Sequence, residues 1–165
     1  MLDNNNINIG GVRFNKNDVQ KSEVIKQDGK EMNSVFLNDG TQVVYPNQKA
    51  ENDASIMQKN GTNFEWVPND RSNNAAYKSV AKEDSSFKET TFNKLEGAQI
   101  IGTEGKDDYR LKGCKDTKVD ITQNDGVKDN VEVGKYKAKG EATVQSSGVT
   151  VDKGAEDKAK IRQKD

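Results

Sequence analysis

The sequence predicts an all-β protein, an N-terminal antiparallel β meander followed by a short parallel β-solenoid. Three observations lead there. Asp-Gly turns separate short β-branched runs before residue 46, the pattern of tight hairpins. An Asp-x-φ-x-φ unit, with φ apolar, recurs beyond residue 96. Leu, Ile, Val and Phe together are only 32 of 165 residues, or 19 %. That is too few for a broad core, yet enough for a narrow one built from stacked coils. The net charge of −1 supplies none of the self-repulsion that keeps a poorly apolar chain unfolded.

The elements follow in chain order. Ile7, Ile9, Val12 and Phe14 alternate with polar residues around Gly10-Gly11, which reads as one strand with a glycine break. Residues 19–46 read as a three-stranded meander. Its turns are Asp28-Gly29 and Asp39-Gly40, and Pro46 ends its last strand because proline has no N–H for a ladder. Residues 47–63 are polar and Asn-rich and read as irregular. Phe64–Pro68 reads as a further short strand. In 69–94 the spacing of Ala75, Ala76 and Val80 fits two helical turns over 74–82, whereas Phe87 and Phe92 suggest strands. Aromatics nearly vanish after about residue 97. The boundary is therefore set at 95, with a β-rich N-terminal region at 1–95 and a repeat region at 96–165.

The repeat copies are Asp107-Asp108-Tyr109-Arg110-Leu111, Asp129-Asn130-Val131-Glu132-Val133 and Asp157-Lys158-Ala159-Lys160-Ile161. Each follows a glycine-containing turn. Alternating runs at Val119-Asp120-Ile121, Ala142-Thr143-Val144 and Val149-Thr150-Val151 lie between or beside them. A strand of this kind sends two side chains inward and its polar neighbours outward. One coil cannot bury its own apolar residues, but stacked coils can. An ordinary β-sandwich or barrel, or a partly disordered chain, is the alternative.

The stretch Gly102-Thr103-Glu104-Gly105-Lys106-Asp107-Asp108-Tyr109-Arg110 resembles the RTX nonapeptide G-G-x-G-x-D-x-U-x, with Thr103 at the second glycine. The resemblance implies a β-roll whose Gly-Asp turns hold Ca²⁺ between coils, with Asp107, Asp129 and Asp157 as its ligands and Asp125 and Asp108 next. The other reading has no cofactor, and these aspartates cap backbone N–H groups in turns.

Composition narrows the chemistry. There is no histidine, and Cys114 is the only cysteine. The usual general base, the usual zinc ligands and an intrachain disulfide are all absent. No constellation singles out a catalytic centre, and a non-enzyme is expected. Balanced charge, 26 basic against 27 acidic residues, argues against a nucleic-acid partner. No apolar run is long enough for a membrane span. Phe64, Trp66, Tyr77 and Tyr45 are the main aromatics; they suit a small β core, or a sugar- or peptide-binding platform. Trp66, beside Pro68, is the candidate exposed ligand-binding residue. The function expected is structural or adhesive, with self-association or a surface glycan or protein as partner. A calcium- or carbohydrate-binding module is the alternative. The architecture suggests an extracellular or cell-surface location, although residues 1–6 show no signal-peptide pattern.

Overall fold

Hairpin chemistry shapes the first half of the chain. In the computed structural model, which describes residues 5–68, 77–123, 129–134, 143–146, 149–153 and 160–164, β1 (Asn6–Ile9) and β2 (Val12–Asn15) pair antiparallel. The run read above as one broken strand is therefore two. Gly10 and Gly11 have φ of +59° and +89°, so the pair makes a tight turn instead of a bulge. A Cβ on Gly11 would lie 2.2 Å from the Gln48 carbonyl oxygen. Gly11→Ala is expected to cost about 2 kcal/mol through this clash and the left-handed backbone. Urea unfolding followed by circular dichroism measures it.

The meander has the expected form: β3 (Val19–Gln27), β4 (Lys30–Leu37) and β5 (Gln42–Tyr45), each antiparallel to the next. Asp28 and Gly29 both have positive φ in the first turn. In the second, the Asp39 carboxylate accepts the Thr41 N–H at 2.9 Å, a local bond that favours turns.

Two segments differ from expectation. β6 (Ala54–Pro68) and β7 (Tyr77–Asn93) are long antiparallel partners. Residues 54–63, read as irregular, are strand because Ala54 and Ile56 alternate into the core while their neighbours face solvent or partners. Tyr77–Lys82, whose composition suits a helix, is strand because it pairs with residues 63–68. Tertiary pairing overrides weak helix propensity here.

The remaining strands are β8 (Gln99–Ile101), β9 (Asp108–Lys112), β10 (Thr117–Ile121), β11 (Asn130–Gly134), β12 (Thr143–Ser146), β13 (Val149–Lys153) and β14 (Lys160–Lys164). The fold is all-β among the described residues, apart from two short 3-10 turns. It consists of two seven-stranded mixed sheets, ordered β1-β2-β6-β7-β9-β11-β14 and β12-β13-β10-β8-β5-β4-β3.

From β7 onward, successive strands alternate between the sheets, with the β12–β13 hairpin as the exception. Their pairing within each sheet is parallel: β7 with β9, β9 with β11 and β11 with β14 in one, β8 with β10 and β10 with β13 in the other. The corners repeat too. Lys94 and Gly97 have positive φ, and so do Gly113 and Asp116, 19 residues on. The register pairs Gln99 with Lys118 at the same spacing. Backbone bonds continue through the corner, from Lys115 N–H to the Leu95 carbonyl at 2.8 Å and from Gly97 N–H to the Lys115 carbonyl at 3.0 Å.

Register builds two ladders of buried side chains. Phe14, Ile56, Phe92, Leu111 and Val133 follow one another across the first sheet. Val35, Val43, Ile100, Val119 and Val151 do so across the second. All belong to one core cluster. Tyr45 ties the two sheets together, its hydroxyl donating to the Ile9 carbonyl at 2.7 Å and its ring 6.5 Å from Phe14. One thin apolar layer therefore serves both sheets, as the composition anticipates.

The first two repeat copies fall on β9 and β11, with Tyr109 beside Val131 and Leu111 beside Val133. The third is displaced. Ile161 pairs with Val131, two residues from where the spacing of the third aspartate would place it. The β12–β13 hairpin lies within the intervening segment, so the chain length between parallel partners is not constant there.

Candidate functional site

Asp107 opens β9 from inside the molecule and is 1 % exposed. Its Oδ2 accepts the Thr103 N–H at 2.9 Å and its Oδ1 the Thr103 hydroxyl at 2.8 Å. A Cβ on Gly102 would stand 2.6 Å from Oδ2, so glycine there permits the carboxylate's close approach. Burial pushes the Asp107 carboxyl up to about 6; the Thr103 bonds oppose this, and Asp39 adds to it. Asp129, one strand along and fully buried, accepts the Asp107 N–H at 2.8 Å. The Asn130 N–H in turn donates to the Asp107 carbonyl at 2.8 Å.

Two of the three predicted calcium ligands are thus brought together, but their assigned oxygens act as backbone and hydroxyl caps. Asp157, the third, and Asp125 lie outside the described residues. Asp108 points away from the core, accepts the Asn130 side-chain amide at 3.2 Å, and has a raised pKa, chiefly from burial. Among the described residues no group of three or more acidic, cysteine or histidine side chains is arranged to hold a metal ion. Beside this column the buried Tyr109 hydroxyl meets the Thr41 hydroxyl at 2.8 Å. Burial, followed by the Asp107 charge, raises its phenol well above the usual range.

The outer face of the same strands carries charge. Arg110 lies 2.5 Å from Glu89 and 3.9 Å from Glu132, on the strands either side, and Lys59 reaches Glu89 at 3.7 Å. Glu89 is 5 % exposed although it points out of the core. A carboxylate so covered needs these cations. Strand register creates this group, and without the register it was not legible in the sequence. Cys114 is buried in the corner before β10, where burial raises its thiol to about 11. A protonated, enclosed thiol is a poor nucleophile.

The most exposed apolar surface is on the β6–β7 arm. Trp66 is 72 % exposed, Phe64 71 % and Tyr77 59 %. Trp66 therefore stands open to solvent. Phe64 and Tyr77, which composition suits equally to a core, accompany it, whereas Tyr45 is buried. The two-residue apolar spacing of Ala54 and Ile56 recurs at Phe64 and Trp66 on the same strand, beyond a register shift at Asn60/Gly61. A core-face pattern runs past the end of the core, so periodicity alone could not separate the two roles. No long, apolar helix able to cross a membrane is present among the described residues. Comparison with protein-family models, curated proteins and solved structures gave no match.

Proposed function

We propose that this chain is a non-enzymatic structural and adhesive protein acting at a cell surface or outside the cell. In this reading the strands from β7 to β14 wind as a short parallel β-solenoid that stiffens and presents the β6–β7 arm. The observation carrying it is the parallel pairing of β7-β9-β11 in one sheet and β8-β10-β13 in the other, with backbone bonds that link residues 94–97 to residues 112–115. Main-chain ladders of this kind resist bending and need little side-chain chemistry. The capped carboxylates of Asp107 and Asp129 support a scaffold that draws no stability from metal. The RTX-like stretch is then a turn solution, with Gly102 and Asp107 serving the backbone.

Displayed on inert particles, the full chain is expected to increase their retention on cell-wall or extracellular-matrix surfaces over particles carrying an unrelated β protein. Equal retention would overturn the adhesive reading. Melting temperatures in excess calcium and in EGTA are expected to agree to within about 1 °C. A clear rise with calcium would favour the metal-binding alternative, because a ligand that binds only the folded state stabilises it.

A further inference from the structure

The β6–β7 arm does more than extend the sheet. β2 pairs with β6 only at Ala54–Ile56, and β9 with β7 only at Glu89–Asn93. Between Gly61 and Pro68, and between Tyr77 and Asp84, the two strands pair only with each other among the described residues. A two-stranded ribbon is marginal by itself in water, and this one carries three open aromatic rings.

Register sorts its residues by chemistry. Thr62 faces Glu83, Phe64 faces Ala81, Trp66 faces Ser79 and Pro68 faces Tyr77, so these eight share one side. The other side holds Glu65, Lys78, Val80 and Lys82, with Lys82 Nζ 3.1 Å from Glu65. Every lysine of this ribbon is on that other side. Between Thr62 and Pro68 and between Tyr77 and Glu83, the described residues of the aromatic side carry one charge, Glu83, which accepts the Asn60 side-chain amide at 3.0 Å; the nearest described lysine on that side, Lys88 at the ribbon's base, donates to Asn60 Oδ1 at 2.5 Å. Small residues, Ala81 and Ser79, oppose the two largest rings, leaving ring surface uncovered. Phe64 and Trp66 stand roughly 7 Å apart along the strand, with the Thr62, Ser79 and Tyr77 hydroxyls in the same row.

Charge and area narrow the occupant. Among the described residues the row's own charge is a carboxylate, Glu83, which disfavours a polyanion laid along it. The rings of two copies laid face to face would bury on the order of 800 Å² in total, from rings of about 150–250 Å² each that are about two-thirds open. A specific, stable protein pair needs roughly 1,200 Å² or more. A slender uncharged ligand needs no such area. We propose that Phe64, Trp66 and Tyr77 form a binding row for an uncharged, hydroxyl-rich polysaccharide strand lying along the arm. Its C–H faces stack on the electron-rich ring faces, and its hydroxyls exchange hydrogen bonds with Thr62, Ser79 and Tyr77. This deepens the presentation part of the scaffold reading, and its failure leaves the coils untouched.

Trp66 is the chain's only tryptophan, so its emission reports directly on the row. The full chain is titrated with the neutral hexasaccharides cellohexaose, xylohexaose and chitohexaose, and with anionic hexagalacturonate. A saturable emission change with a neutral sugar, and none with the anionic one, is the expected result. Phe64→Ala and Tyr77→Ala should each weaken binding about tenfold or more, equivalent to about 1.4 kcal/mol, while Lys82→Ala on the opposite side should change it less than about twofold. Tyr77→Phe, which keeps the ring, should lie between wild type and Tyr77→Ala, and it serves if the alanine variants lose the arm. Three results would overturn the proposal. One is no saturable change with any neutral sugar. Another is equal or tighter binding of hexagalacturonate. The last is emission that moves with protein concentration while sedimentation shows dimers, which would assign the row to a second copy.

Discussion

Phe92→Ala is expected to lower the unfolding free energy by about 3–5 kcal/mol. Phe92 is fully buried and lies edge-on to Tyr109, with ring centroids 5.4 Å apart and planes 78° apart. It stands in the ladder between Ile56 and Leu111, where the N-terminal hairpins meet the first repeat copy. Truncation removes transfer energy and leaves a cavity that main-chain ladders on both sides prevent from collapsing. A domain of this size is typically stable by only about 5–15 kcal/mol, so the loss is a large share of the total. Equilibrium urea unfolding measures it, and a loss below about 1 kcal/mol would show that the ladder does not carry the core.

The second large effect is one of pH. The Asp107 carboxyl titrates at about 6 in the folded protein, above its ordinary 3.8, so the native state holds this proton more tightly than the unfolded chain. The stability this contributes is complete below about pH 3.8 and is lost as pH rises through about 6. Asp107→Asn has no proton to lose and keeps an oxygen for the Thr103 N–H. The stability difference between wild type and this variant should therefore shift by on the order of 2 kcal/mol in the variant's favour between about pH 4 and pH 7. Urea unfolding at the two pH values reads the shift directly. A pH-independent difference would show that the carboxylate is compensated where it sits.

Both effects arise where the sequence was only partly legible. The meander could be read because Asp28-Gly29 and Asp39-Gly40 sit between β-branched runs, and that local chemistry fixes hairpins with little help from the rest of the chain. The stacking of Asp107 on Asp129 was visible as a repeated unit, and the structure shows its purpose in the bond from the Asp107 N–H to the Asp129 carboxylate. The β6–β7 arm was not legible as a unit. Asn-rich and charged residues on one side of it hide the alternation, and its partner strand lies beyond residues 69–76, whose sequence offers no clear pattern. The exposure of Phe64 and Tyr77 could not be read either, because the same two-residue period marks a core strand and a ribbon that overruns the core. The shift of the third copy accompanies the β12–β13 hairpin, which lies between β11 and β14 and leaves no mark on the Asp-x-φ-x-φ pattern itself.

Strands β10 and β13 lie side by side and parallel. Lys118 and Thr150 are register partners on neighbouring parallel strands, and their side chains lie on the outward side, away from buried Val119 and Val151. In a Cys114→Ser background, Lys118→Cys with Thr150→Cys brings two thiols to adjacent Cα positions, within the usual reach of a disulfide. Mild oxidation followed by thiol counting and peptide mass analysis is expected to show rapid formation of this intrachain bond. Lys118→Cys with Asp152→Cys, offset by two residues, is expected to form it far more slowly. Equal rates for the two pairs, or faster bonding of the offset pair, would contradict the parallel register and, with it, the proposed scaffold.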